Sequence, residues 1–275
     1  MTPHPNDPYA CALQAYGVAK VPFTEIPALR KVPGPLGGRK IAPSLLKHAD
    51  PQTILGLAAI LQAIDDFGWA DRSFEGWGMI AAPRFIGRLT AAAVIDRYKR
   101  VGVSGVSPLL IPTVSLNAIS GALSLALKTK GFNYGVGGGN GHLAEALLAG
   151  LAARDDCGVP GVWVVATQIS PEPVPDLVGQ CTNDCVGYAV ALAITPAGAS
   201  TSRLNLRVVP TAALADDLSI DPDTELPALT NFLHASTTSG RQRRWFCPVM
   251  GVGAIEFDDD PARVRKTKVA GRAAG

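Results

Sequence analysis

Charge is scarce in this sequence. Asp, Glu, Lys and Arg make up 17 % of its 275 residues, below the share of about 25 % in ordinary globular chains. The balance is +2, which gives no electrostatic footprint for nucleic acid. Long apolar runs are absent as well: none approaches the roughly 20 residues of a membrane-spanning helix. Residues 1–9 are rich in Pro and Asn and hold no apolar signal-peptide core. Five cysteines in a chain of this length make no disulfide framework, so a cytoplasmic protein with reduced thiols is expected. No internal repeat or low-complexity block is present. What the chain does have is apolar content, 47 % of residues. That is enough for a large core, and it predicts that part of the surface is covered by another subunit.

Turn residues and periodicity divide the chain. Residues 22–43 hold five prolines and several glycines and read as an irregular excursion. Asp50 then offers an N-cap and Pro51 a first helical position. Ile54, Leu55, Leu57, Ala58, Leu61 and Ile64 form the apolar face of that helix, which stops near Phe67-Gly68. Residues 77–82 read as a short buried strand. Residues 88–100 read as a helix with Leu89, Ala92, Ala93 and Ile95 inward, and 115–130 as a buried helix of small residues. A short strand over 132–136, a glycine loop over 137–141 and an Ala/Leu helix over 142–154 follow. Residues 162–167 and 188–194 are continuous apolar runs of the kind buried on both faces, while 203–209 alternates like a more exposed strand. From 226 to 257 the pattern gives one helix (228–234) and two edge strands. Alternation of strand and helix predicts a layered α/β domain with a mostly parallel sheet. One domain is expected over 1–260, with a basic frayed tail over 261–275.

The glycine loop is the most informative stretch. Three readings compete for Gly137, Gly138, Gly139, Asn140, Gly141 and His142. A dinucleotide loop is one, since Gly135 and Gly137 with Gly141 imitate part of that fingerprint, but no acidic residue ends the strand at 162–167. Close packing of a helix on a strand is the second. The third is a nucleophile elbow, a strand-to-helix turn presenting one side chain at a helix N-terminus.

The wider sequence bears on that choice. Gly131-Phe132-Asn133-Tyr134-Gly135-Val136-Gly137-Gly138-Gly139-Asn140-Gly141 resembles the Gly-Pro-Asn-x-x-Val-x-Thr-Ala-Cys-Ser stretch of beta-ketoacyl synthases. Ser107-Pro108 through Leu116-Asn117, the run 162–168, and Cys185-Val186-Gly187-Tyr188-Ala189-Val190-Ala191-Leu192 resemble further family segments in order. The resemblance runs from about Tyr9 to Ile194. It implies a thiolase-like fold, the N-terminal half of a ketosynthase with an abbreviated C-terminal part, because the residues after Ile194 are too few for a second half.

Counting from Gly131 without a gap, the family's nucleophilic cysteine falls on Asn140. A ketosynthase attacks with a thiolate, and a neutral carboxamide cannot replace it. The resemblance also implies two histidines in the C-terminal half. Beyond the elbow region only His234 is present, in a segment lacking the family's glycines, and it reads as a helix-end residue. His142, following the elbow, reads as a capping or surface residue and a candidate ligand contact. Cys181 and Cys185 lack further ligands for a metal, and Cys11, Cys157 and Cys247 read as small hydrophobes. No catalytic residue, metal or cofactor is therefore expected.

The favoured reading is a subunit similar to a chain-length factor of aryl-polyene or related pigment pathways. It would pair with an active synthase and meet an acyl carrier protein in fatty-acid- or polyketide-type biosynthesis, as a hetero- or homodimer. Phe132, Tyr134 and Val136 are the candidate dimer seam or acyl-tunnel wall, and the basic tail is a candidate carrier landing patch. The alternatives are an acyl transferase or decarboxylase using residues 137–142 as an oxyanion site, or an acyl-binding protein.

Overall fold

Alternation along the strands sorts side chains to two faces of one sheet, and helices cover both. The structure, a computed structural model, describes residues 10–31, 41–108, 110–156, 158–174, 184–196, 204–210, 221–238, 242–249 and 253–259. The basic tail, Cys157, Cys181 and Arg241 lie outside the described residues. In chain order the elements are β1 (Ala10–Pro22), α1 (Ile26–Leu29), α2 (Pro43–Lys47), α3 (Pro51–Asp66), β2 (Gly78–Pro83), α4 (Arg88–Val101), α5 (Leu110–Val114) and α6 (Asn117–Leu127). Then come β3 (Asn133–Gly135), α7 (His142–Asp156), β4 (Val162–Ser170), β5 (Val186–Pro196), β6 (Leu204–Pro210), α8 (Pro222–Thr238), β7 (Arg243–Val249) and β8 (Gly253–Asp259).

The eight strands form one sheet in the order β3-β2-β4-β5-β1-β6-β8-β7. The expectation of a mostly parallel sheet holds at one end only. β2 pairs in parallel with β3 and β4, and the other five pairings are antiparallel. A parallel pair needs a crossover connection: α4–α6 carry the chain from β2 to its neighbour β3, and α7 carries it from β3 past β2 to β4, whereas α3 and α8 join strands that are not neighbours. Both faces carry a core. Met79, Ala81, Trp163, Val165, Ala189, Ala191 and Ala193 pack under α3 and α6. Ile80, Ala82, Val162, Val164, Val190, Leu192 and Ile194 pack under α7 and α8.

The helix capped by Asp50 forms as its sequence requires: the carboxylate accepts from the Gln52 N–H at 2.9 Å. It is buried well beyond one face, however, with twelve of its 16 residues covered. Each of Ile54, Leu55, Leu57, Ile60, Leu61 and Ile64 is out of water, worth about 1.5–3 kcal/mol apiece. Small residues on the sheet allow this approach. A Cβ on Gly17 of β1 would collide with the Ala59 carbonyl oxygen of α3.

The helix read over 88–100 is present as α4, but its inward face is not. No residue of α4 is buried, and Ile95 is 55 % exposed. The C-terminal helix starts six residues earlier than expected, at Pro222. Of the two edge strands expected there, β7 is at an edge and β8 is interior. Arg243, Arg244 and Pro248 blunt the β7 edge against further pairing. Among the described residues, no helix is long and apolar enough to cross a membrane.

Candidate functional site

In open α/β sheets, sites form beyond the carboxyl ends of parallel strands, and here β2, β3 and β4 end together. The turn from β3 into α7 is pinned to β2: the Val136 N–H donates to the Ala81 carbonyl at 2.9 Å and the Gly138 N–H to the Pro83 carbonyl at 3.0 Å. Gly137 and Gly138 have φ of 81° and 95°, which only glycine adopts without strain. Asn140 then stands exposed one residue before Gly141 and the head of α7.

The next residues of β2 set the chemistry. The Arg84 N–H donates to the Thr167 carbonyl at 2.8 Å. Its carbonyl accepts from Gln52 Nε2 at 2.8 Å, and Gln52 Oε1 accepts from Thr167 Oγ1 at 2.9 Å. With its backbone fixed on α3 and β4, Arg84 aims its guanidinium at Asn140. Nε and Nη2 donate to Asn140 Oδ1 at 3.2 and 2.8 Å, and Nη1 pairs with Asp223. The guanidinium is 7 % exposed and Asp223 is 53 % exposed. Phe85 follows at φ 54°, a strained conformation for a bulky residue, with the Arg88 guanidinium 3.7 Å from its ring centroid.

Pro227 explains how Asp223 arrives. Proline lacks the N–H that would bond the carbonyl four residues back, so the Asp223 carbonyl is left over inside α8. Gln168 Nε2 takes it at 3.0 Å and Ser170 Oγ at 3.3 Å, at the end of β4. That contact docks the start of α8 over the site.

Burial perturbs the neighbouring groups. His142 is 1 % exposed, not at the surface, and neither ring nitrogen has a hydrogen-bond partner among the described residues. Burial, then the Arg84 charge, lowers its pKa from 6.5 to about 4, so the ring is neutral at pH 7. Glu172 is pushed up to about 7, chiefly by burial and against the pull of Arg88 and Arg84. It lines a cavity of about 10 Å³ with Asp50, Gln52, Phe85 and Arg88, room for one water. Glu225, nearby on α8, accepts from the buried Cys247 thiol at 3.1 Å, and burial raises both pKa values.

The structure thus brings residues 137–142 together with Arg84, Asp223, Gln168 and Glu172, which the sequence reading did not single out. The available signal was one arginine directly after an apolar strand. The arrangement offers hydrogen-bond donors, a cation and carboxylates; among the described residues Cys11, Cys185 and Cys247 are all buried, and no group of three metal-ligating side chains occurs there. Phe132 and Tyr134 are half-buried and stacked, with centroids 5.3 Å apart at 26°, and with Val136 they pack against the α7-side core. His234 is exposed near the end of α8.

This layered α/β fold, with its strand–glycine turn–helix elbow, is a ketosynthase-type fold. One similar solved structure is a type II polyketide acyl-carrier protein in complex with its ketosynthase bound to the hexaketide. It is 12 % identical with a TM-score of 0.58, and 92 % of this chain covers 99 % of that chain. A second is the ishigamide ketosynthase/chain length factor, at 16 % identity and TM-score 0.58, covering 91 % of this chain and 98 % of that one. A third is a ketosynthase in complex with its chain length factor from Xenorhabdus doucetiae, at 13 % identity and TM-score 0.54, covering 90 % and 98 %. Each matched chain is spanned nearly whole, so the abbreviated C-terminal part has counterparts in solved structures. No protein-family model matches the chain, and no curated protein matches it in sequence.

Proposed function

We propose that this chain is the non-catalytic member of a pair with an active beta-ketoacyl synthase and helps set the length of a carrier-borne acyl chain. The observation that carries the reading is Asn140. It stands in the elbow where the family resemblance puts the attacking cysteine, and its carboxamide oxygen is engaged by the Arg84 fork. An acceptor held by a guanidinium that is itself anchored on Asp223 is a structural tie. The fold likeness to chains of ketosynthase/chain-length-factor complexes supports the same reading. The finer assignment, to a polyene- or pigment-type pathway in the cytoplasm, rests on the sequence resemblance.

The proposed seam runs along β3, with Phe132, Tyr134 and Val136 as its apolar bulk. β3 is three residues long, and the Gly135 N–H is already taken by Asn117 Oδ1 at 2.6 Å. The seam therefore depends on side-chain packing more than on ladder hydrogen bonds. Co-expression with a ketosynthase that retains its cysteine, followed by size-exclusion chromatography, tests the pairing. A single peak holding both chains is expected; two peaks of unpaired subunits at micromolar concentration contradict the proposal.

A further inference from the structure

The end of α3 carries an aromatic surface that the elbow does not use. Phe67 is 39 % exposed, with its ring centroid 5.3 Å from that of Tyr16 and 6.3 Å from that of Trp69. Trp69 continues the cluster inward to Phe74, Trp77 and the buried Trp163, at 6.0, 6.1 and 6.2 Å. The Arg72 guanidinium lies 4.0 Å from the Trp69 ring centroid and 5.0 Å from that of Trp77. The cluster therefore already holds one guanidinium by cation–π attraction.

Apart from Arg72, the charge beside Phe67 and Trp69 is negative. Asp65, Asp66 and Asp71 are exposed, and none is in an ion pair among the described residues. The last turn of α3 holds no basic residue, and a helix C-terminus adds negative potential of its own. Aromatic rings with an acidic rim suit a segment rich in arginine and lysine. This chain contains one. Residues 261–275 hold Arg263, Arg265, Lys266, Lys268 and Arg272 and no acid.

Strand register puts that segment within reach. Asp259, the last residue of β8, is paired with Leu204 of β6, and Leu204 with Leu13 of β1. Two strand spacings make about 10 Å, and Tyr16 is about 10 Å further along β1. β8 and β1 run in the same direction, because each is antiparallel to β6. The end of β8 therefore points toward the level of Tyr16 and Phe67. Four residues of extended chain span about 13 Å, enough to bring Arg263 to the rings.

We infer that residues 261–275 are an intramolecular strap that docks on the end of α3. Its guanidinium groups meet the Phe67–Trp69 surface, and its cations pair with Asp65, Asp66 and Asp71. The strap ties the β6–β8–β7 end of the sheet to the helix that covers its middle. The inference stands apart from the proposed function, and gives the basic tail an occupant's role within the chain in place of a carrier landing patch. Tethering sets an effective concentration of about 1 mM, so contacts too weak for a separate peptide suffice.

Trypsin cleavage of the full chain, followed by intact mass, tests the strap, because cleavage at Arg263, Arg265 and Lys266 tracks the open population. Asp65→Asn with Asp66→Asn and Asp71→Asn, and separately Phe67→Ser, are expected to speed tail cleavage at least ten-fold with unchanged circular dichroism. At about 1 mM effective concentration, ten-fold protection corresponds to a Kd of about 0.1 mM for the same segment as a free peptide. A peptide of residues 261–275 should bind with that Kd or tighter, by Trp fluorescence, to a full-length variant carrying Arg263→Gln, Arg265→Gln, Lys266→Gln, Lys268→Gln and Arg272→Gln. It should bind the wild-type chain at least ten-fold more weakly, since the strap already fills the site. Equal tail cleavage in the wild type and both patch variants overturns the inference. So does equal peptide affinity for the wild-type chain and the variant with the neutral tail. Protection that rises with protein concentration would place the tail of a second copy on the patch, and overturns it as well.

Discussion

Two helices of nearly equal length meet opposite fates in this protein. α3 has 16 residues and buries twelve; α4 has 14 and buries none. Both sequences are alanine-rich, but α4 carries five charged residues in 14 and α3 two in 16. The difference lies also in what faces them. β1 and β5 present Gly17, Gly187, Ala189, Ala191 and Ala193 toward α3, and a floor of small side chains lets the helix backbone settle onto the sheet. α4 leaves the sheet through Gly87 at φ 75° and runs outward with cations on either side of its apolar stripe. The covered helix and the uncovered one differ in charge and in the floor beneath them more than in length.

The comparison breaks most visibly at Gly17. Gly17→Val places a side chain against the α3 backbone and is expected to cost about 3 kcal/mol or more in urea denaturation; a variant of wild-type stability would mean that α3 is not seated as described.

The elbow should fall between the two helices in sensitivity. Unfolded, His142 takes up its proton near pH 6.5; folded, it stays neutral to about 4. The folded state therefore binds fewer protons in that window, and stability is lost as pH falls from about 6.5 to about 4, by up to about 3 kcal/mol. Glu172 acts in the opposite sense. Its folded pKa of about 7 exceeds the ordinary 4.5, so its contribution is present below 4.5 and is lost as pH rises through 7. Thermal melts should show His142→Gln flattening the acid side of the profile and Glu172→Gln flattening the neutral side. Unchanged profiles would contradict the burial of these groups.

Arg84→Met removes the fork on Asn140 and the pair with the half-exposed Asp223, and is expected to cost about 1–3 kcal/mol in the same denaturation. The smallest effect belongs to α4: Ile95→Ala should change stability by no more than about 0.5 kcal/mol in the isolated chain. A cost of 2 kcal/mol or more would show that the helix is packed in solution.

Much of α3, β4 and β5 was legible in the sequence because strong local signals agreed with the final burial. Asp50-Pro51 marks a helix start, and 162–167 and 188–194 are apolar on both sides of the strand. β1 was missed because Ala10, Ala12, Ala15, Gly17 and Ala19 carry no β-branched signal. Its strand comes from pairing with β5 along Cys11–Pro22, a long-range cause. On α4, Leu89, Ala92, Ala93 and Ile95 share a helical pattern with core helices, and periodicity says nothing about whether a neighbour exists. In the site, the glycine turn was readable from local spacing, whereas Asn140 was singled out only by the resemblance to beta-ketoacyl synthases. Arg84 and Asp223 are 139 residues apart and meet only because Pro227 frees a carbonyl for β4. Pro227 also hid the start of α8, since proline inside a helical pattern reads as a boundary.

Intact-mass spectrometry of the purified chain incubated with acyl-carrier thioesters tests the role of Asn140 most directly. The account predicts no acyl adduct on the chain and no release of free carrier above the rate without protein. A covalent acyl adduct, or thioester turnover abolished by Asn140→Ala, would contradict it.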